Sequence, residues 1–165
     1  MNEKEDIFVK ALEFEKKGYK LYKEAGDSSF NPFVKKIFLF LANEELNHIM
    51  AIEKYIKEND LSINFGFNKN EVKDFFNMTI DEFKEGIEFT ENEIKVYEKA
   101  LDLEKSGFDF YKTKANETNN NEIKDFLLFL VEQEKSHYLM LEKSLKFIKN
   151  PVNFFALQED WSFEG

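Results

Sequence analysis

Cysteine and arginine are both missing from this 165-residue chain, which holds only two prolines, two histidines and one tryptophan. Without cysteine it carries no disulfide, no iron–sulfur cluster and no CxxC electron carrier. Without arginine, all 23 basic residues are lysines, and no guanidinium is available to pair with a buried carboxylate. Long apolar runs are lacking too. The start Met1-Asn2-Glu3-Lys4-Glu5-Asp6 has no apolar signal-peptide core, and no later stretch reaches membrane-spanning length. These features predict a cytoplasmic protein with no membrane partner. Positive charge is in deficit: a net charge of −10 repels nucleic acid and anionic lipid at long range, so neither is expected as a partner.

What is present is a helical repeat. Hydrophobic residues make up 42% and charged residues 34% of the chain, ordinary values for one soluble domain that buries a real core. Sliding the sequence by 89 residues lays Ala11, Leu12, Glu15, Gly18, Tyr22, Phe40, Leu41, Glu45 and His48 onto Ala100, Leu101, Glu104, Gly107, Tyr111, Phe129, Leu130, Glu134 and His137. Both histidines of the chain lie in this register. Glu45-Leu46-Asn47-His48 and Glu134-Lys135-Ser136-His137 each set a carboxylate and an imidazole three residues apart, side by side on one helix face. A further glutamate stands thirty residues before each, Glu15 and Glu104.

Four long helices accommodate the repeat. The first is expected from a cap at Asn2, boxed by Glu5, to about residues 26–29. Asn31-Pro32 opens the second, which Asn59-Asp60 ends. Thr90 with Glu93 opens the third, and Asn119-Asn120-Asn121 separates it from the fourth, which Pro151 stops. Residues 61–90 read as a long crossover, irregular to Met78 with a short helix from Thr79 to Phe89. Residues 151–165 form a tail whose Phe154, Phe155, Trp161 and Phe163 are expected to pack on the bundle or on a partner subunit. The expected fold is therefore all-α: a ferritin-like four-helix bundle over residues 1–150, made of two antiparallel hairpins joined by that crossover.

Glu15, Glu45, His48, Glu104, Glu134 and His137 all fall inside apolar stripes, near mid-helix, where antiparallel packing brings them to one level. Burying four ionised carboxylates costs several kcal/mol each unless cations meet them. With no arginine in the chain, two divalent metal ions would balance them. Mixed carboxylate and imidazole donors favour iron or manganese, while zinc would fill the site without redox chemistry. On this reading Glu45 and Glu134 bridge two ions, Glu15 and His48 complete one, and Glu104 and His137 the other. Tyr22 and Tyr111, seven residues after Glu15 and Glu104 on the same face, are candidates to support them, either as core tyrosines bonded to a carboxylate or in a redox or gating role. Glu44 and Gln133 either receive a histidine N–H from the opposite hairpin or are solvated, and they stand outside the set of six ligands. Gly18 and Gly107 either allow close helix approach or leave room for a substrate.

The segments Ala11–Tyr22 and Phe38–His48, the matching second hairpin and the ending Trp161-Ser-Phe-Glu-Gly165 resemble the rubrerythrin-like branch of the ferritin-like carboxylate-bridged diiron proteins. The resemblance implies two iron ions, reduction of hydrogen peroxide in oxidative-stress defence, and a homodimer. Rubrerythrins usually carry a four-cysteine rubredoxin domain; with no cysteine here, electrons would come from a separate protein such as a rubredoxin. Two ligand positions also depart from that pattern. Gly107 stands where the third helix usually has an extra glutamate, and Glu134-Lys-Ser-His137 lacks the extra glutamate before its histidine. The resulting six-residue set resembles a bacterioferritin ferroxidase centre, so Fe(II) oxidation by O₂ or peroxide competes as a function. A non-catalytic helical interaction module is the third possibility.

Overall fold

The structure of the protein, a computed structural model, describes residues 3–58, 70–83 and 88–156. Among these residues there are six helices and no strand: α1 (Glu3–Ser28), α2 (Pro32–Glu58), α3 (Glu71–Glu82), α4 (Glu91–Glu117), α5 (Asn121–Lys149) and α6 (Pro151–Ala156). No helix among them is long and apolar enough to cross a membrane.

Polar caps decide where the long helices begin. The Asn31 side-chain oxygen accepts from the backbone N–H groups of Phe33 (3.0 Å) and Val34 (3.2 Å), while Pro32 occupies the first turn, where a missing N–H costs nothing. Thr90 and Glu93 form a reciprocal capping box at α4, and Asn120 accepts from the Ile123 N–H at 3.1 Å to open α5. The cap expected at Asn2 lies outside the described residues.

Short connections pair α1 with α2 and α4 with α5, and α1 packs against α4. Tyr22 of α1 meets Glu104 of α4, and Tyr111 of α4 meets Glu15 of α1, so these two helices run antiparallel. Phe33 and His48 of α2 meet Phe147 and His137 of α5, again in antiparallel order. It follows that α2 and α4 run in the same direction. The chain must therefore return along the whole bundle between them, which is why a long crossover exists.

The crossover helix differs from the expectation. It spans Glu71–Glu82 rather than Thr79–Phe89, and residues 88–90 are not helical. Val72, Phe76, Thr79 and Ile80 recur at helical spacing and are buried, whereas Asn70 makes no side-chain cap, so the usual start signal is missing. α3 rests on α2 and α5. Lys36 of α2 pairs with Glu82, and the Asn31 amide donates to the Glu88 carbonyl at 2.7 Å, fastening the far end. Residues 59–69 and 84–87 lie outside the described residues.

Pro151 does more than stop α5. It ends α5 and starts α6, with Asn150 accepting from the Asn153 N–H at 3.1 Å, the same Asn-Pro device that opens α2. The Phe154 ring of α6 packs edge-on against Phe147 and Phe76. The packing expected of Phe155, Trp161 and Phe163 concerns side chains outside the described residues.

The core falls into two apolar clusters. One gathers Tyr22, Phe33, Phe38, Tyr97, Phe76 and Phe147, and the other Phe8, Ile52, Tyr55, Tyr111, Phe126 and Leu127. Near the α1–α2 turn the helices approach closely: a Cβ added at Gly26 would stand 2.5 Å from Leu39 Cδ2 and 3.2 Å from the Leu39 backbone nitrogen. Gly26→Ala is therefore expected to destabilise the protein by about 1–3 kcal/mol through overpacking, read as a lower urea midpoint; an unchanged midpoint would mean that Leu39 moves aside freely.

Candidate metal centre

Six polar side chains belong to neither apolar cluster and fill the level between them. Glu15 comes from α1, Glu45 and His48 from one turn of α2, Glu104 from α4, and Glu134 and His137 from one turn of α5. None is more than 5% exposed. Their donor atoms form two groups, Glu15, Glu45, His48 and Glu134 in one, Glu45, Glu104, Glu134 and His137 in the other. Within each group one atom per residue lies within 4.8 Å of all the others, and Glu45 and Glu134 belong to both.

The tyrosines tie the two hairpins together. Tyr22 of the first hairpin donates to Glu104 of the second. Tyr111 of the second donates to Glu15 of the first at 2.8 Å. Burial, and then the charges of Glu104 and Glu45, push the Tyr22 hydroxyl well above its usual 10.0. Burial, and then Glu15 and Glu134, do the same for Tyr111. Both remain protonated donors, each holding one carboxylate oxygen, Glu104 Oε1 and Glu15 Oε1. The sequence placed these tyrosines on the right face, but their cross-hairpin partners come only from the packing of α1 on α4.

The imidazoles lie nearly parallel, ring centroids 5.7 Å apart and planes 19° from coplanar. His48 Nδ1 is 3.4 Å from Glu15 Oε2. His137 Nδ1 is 3.1 Å from Glu45 Oε1 and 3.5 Å from Glu104 Oε1, yet Nδ1 and the Glu45 oxygen are not aligned as a hydrogen bond.

Charge is unevenly shared among the carboxyls. Burial holds Glu45 well above the ordinary carboxylate range, reinforced by the charge and hydrogen bond of Glu15. Glu134 is raised in the same way, by burial and then by Glu104 and Glu15. Burial would raise Glu15 as well, but its hydrogen bond with Glu45, the charge and hydrogen bond of His48 and the Tyr111 hydroxyl bring it down to about 2. Burial opposes charge on His137, and the Glu104 charge, with the Glu44 and Glu45 carboxylates close by, overcomes it and holds the imidazole well above 6.5.

Two glycines border the centre. A Cβ at Gly18 would stand 3.2 Å from the Glu45 carboxyl carbon, and one at Gly107 would stand 3.4 Å from that of Glu134. Gly18 thus lets α1 come closer to the Glu45 carboxylate than a Cβ would allow without a shift, and Gly107 lets α4 close on Glu134 with no side chain between them. Glu44 is buried at 1% exposure, whereas its repeat partner Gln133 is half-buried. Glu71 of α3 lies within electrostatic reach of Glu44, His137 and His48, and burial and then the Glu44 charge raise its carboxyl. Sequence reasoning missed Glu71 because it lies in the crossover, outside the repeat.

This donor set fits a pair of divalent ions. Glu45 Oε1, Glu104 Oε2 and His137 Nδ1 are buried lone-pair carriers without hydrogen-bond partners, and such groups are costly unless something cationic meets them. An all-helical bundle with a buried layer of four glutamates and two histidines defines the class of ferritin-like bundle proteins. The family model for Rubrerythrin matches residues 6–145, most of the chain, and the protein belongs to that family. Comparison with curated proteins found no match, nor did comparison with solved structures. Family and buried cluster together point to metal binding.

Proposed function

We propose that the protein is a diiron oxidoreductase that reduces hydrogen peroxide. The observation that carries this reading is the pair of donor groups sharing Glu45 and Glu134. One ion would be held by Glu15, His48 and the shared pair, the other by Glu104, His137 and the shared pair. Oxygen and nitrogen donors without thiolate favour iron or manganese; zinc would bind but could not exchange electrons. When bound as Fe(II), the ions supply the two electrons that, with two protons, convert one peroxide to two waters.

The chain's own contribution is electrostatic and geometric. Burial excludes bulk water from the layer, which strengthens every charge interaction within it. Tyr22 and Tyr111 hold Glu104 and Glu15 in place. Burial and neighbouring carboxylates favour the protonated forms of Glu45 and Glu134 without metal, and metal would compete with those protons for the same oxygens. Gly18 and Gly107 let the helices close tightly on the shared carboxylates.

Oxidation of Fe(II) is the second reading, favoured by the near-symmetry of the six donors and by glycine at position 107. These 165 residues hold no cysteine, so the electrons that reset a peroxide reductase would reach the centre from outside them, from a donor such as a rubredoxin. We place the protein in the cytoplasm as a homodimer acting in oxidative-stress defence. Stopped-flow mixing of the anaerobic Fe(II)-loaded protein separates the readings. Peroxide reductase activity predicts peroxide consumption at least about tenfold faster than O₂ consumption, and a ferroxidase predicts continued oxidation of Fe(II) beyond two ions per chain. Failure to bind metal at all would sink both.

A further inference from the structure

Each of the six donor residues is at most 5% exposed, so an ion has to cross the wall of the bundle to reach them. The α1–α4 seam suits an ion badly. Half-buried Phe14 and Phe110 stand there with ring centroids 5.2 Å apart, and shedding hydration against two phenyl rings is costly. The opposite side, where α3 lies on α2 and α5, carries carboxylates instead.

Helix register brings two of those carboxylates onto facing turns. Lys36 of α2 pairs with Glu82 of α3, and Phe40 stacks on Phe75 at 4.0 Å and 8°, so the two helices run antiparallel. One turn further along each stand Glu44 and Glu71. Glu71 is half-buried at the start of α3, whereas Glu44 is 1% exposed and neither of its oxygens has a hydrogen-bond partner. Burial, and then the Glu44 charge, keep the Glu71 carboxyl above its usual range, as expected of like charges held close. Glu44 Oε1 stands 3.9 Å from His137 Nε2, at the edge of the centre. Two carboxylates in sequence, the inner one buried and unpartnered, are stabilised by a cation. The repeat does not copy the pair: Gln133 stands at the place of Glu44, and Glu71 belongs to the crossover.

We propose that Glu71 and Glu44 form an entry site for divalent cations, Glu71 taking a hydrated ion such as Fe(II) or Mn(II) from solvent and Glu44 receiving it on the way past His137 to the six donors. The inference rests on the metal-centre reading above. Such ions accept oxygen donors and give up water reluctantly, so a half-exposed carboxylate followed by a buried one lets the hydration shell be exchanged in steps. Because the site is occupied only in passing, it speeds loading and release alike and leaves the affinity of the centre unchanged.

Stopped-flow mixing of anaerobic, metal-free full-length protein with Co(II), read by the visible absorption of the bound ion, tests it. Glu71→Gln should load about tenfold more slowly than wild type, within the range that charge steering supplies. Release of bound Co(II) to excess chelator should slow by a similar factor, with the same number of ions bound at saturation and an unchanged Kd. Glu71→Lys should slow both steps further. Glu13→Gln, which removes an exposed carboxylate on α1 beside Phe14, should load like wild type. Wild-type loading by Glu71→Gln and Glu71→Lys, or equal slowing by Glu13→Gln, would overturn the entry site while leaving the metal centre standing. A weaker Kd or a lost ion in Glu71→Gln would make Glu71 a ligand and overturn its role in transit. No Co(II) uptake by wild type would overturn the metal-centre reading, and the entry site with it.

Discussion

Replacing Glu45 with alanine is expected to empty both metal positions together, whereas replacing Glu15 or Glu104 should empty mainly one. Glu45 contributes a donor atom to both four-residue groups, and Glu15 and Glu104 to one each. Its Oε1 also faces His137 Nδ1 across 3.1 Å. Without it, each group of donors loses one of its four residues. Retention of either ion should fall by more than the roughly 10–100-fold typical of lost outer partners. Glu134→Ala should behave in the same way because it is the second shared residue. Elemental analysis of anaerobically purified protein reads the result directly. Two ions retained in Glu45→Ala, or equal losses in all four variants, would contradict the sharing of Glu45 and Glu134.

The metal-free protein should lose stability as pH rises from about 5 to about 8, and metal should reverse that trend. Glu45 and Glu134 have their carboxyls raised well above 4.5, by burial first and neighbouring carboxylates second. The folded state therefore keeps protons that the unfolded chain releases. Their contribution is complete below the ordinary carboxylate value and drains away as pH climbs through the raised values. His137, held above 6.5 chiefly by the Glu104 charge against burial, acts in the same direction: its contribution is full below 6.5 and is lost above the raised value. Glu15 has the opposite sign. Held at about 2, it stabilises above 4.5 and fails only as pH falls toward 2, outside this window.

Metal competes with those protons for the same atoms, so loading strengthens as pH rises. At a free concentration about 100 times Kd, each independent ion adds about 2.7 kcal/mol, or roughly 5 kcal/mol for two. For a protein of this size that is on the order of 10–20 °C in Tm. Thermal melts with chelator and with Fe(II) or Mn(II), at both pH values and without oxygen, check the crossing. A chelated protein that melts higher at pH 8 than at pH 5 would show that the layer is not a reservoir of trapped protons.

Helix starts were legible where a side chain does the capping. Asn31, Thr90 and Asn120 each satisfy backbone N–H groups by a local bond that needs no other helix. α3 was misplaced for the complementary reason: Asn70 makes no such bond, and a short stripe of Val72, Phe76 and Ile80 gains its stability by burial against α2 and α5. α6 escaped notice although Asn150-Pro151 repeats the Asn31-Pro32 signal, because a proline after a long helix was read only as a stop.

By itself the sequence determined the twofold register of Glu15, Glu45 and His48 with Glu104, Glu134 and His137, because helical periodicity is local and spacing alone puts a carboxylate and an imidazole on one face. Tertiary structure decided the rest. The pairing of Tyr22 with Glu104 and Tyr111 with Glu15 exists only because α1 and α4 run antiparallel in contact. The approach of Glu44 to His137, 3.9 Å apart, exists only because α2 and α5 pack together. Both are long-range contacts between helices, and no spacing within one helix encodes which neighbour a side chain will meet.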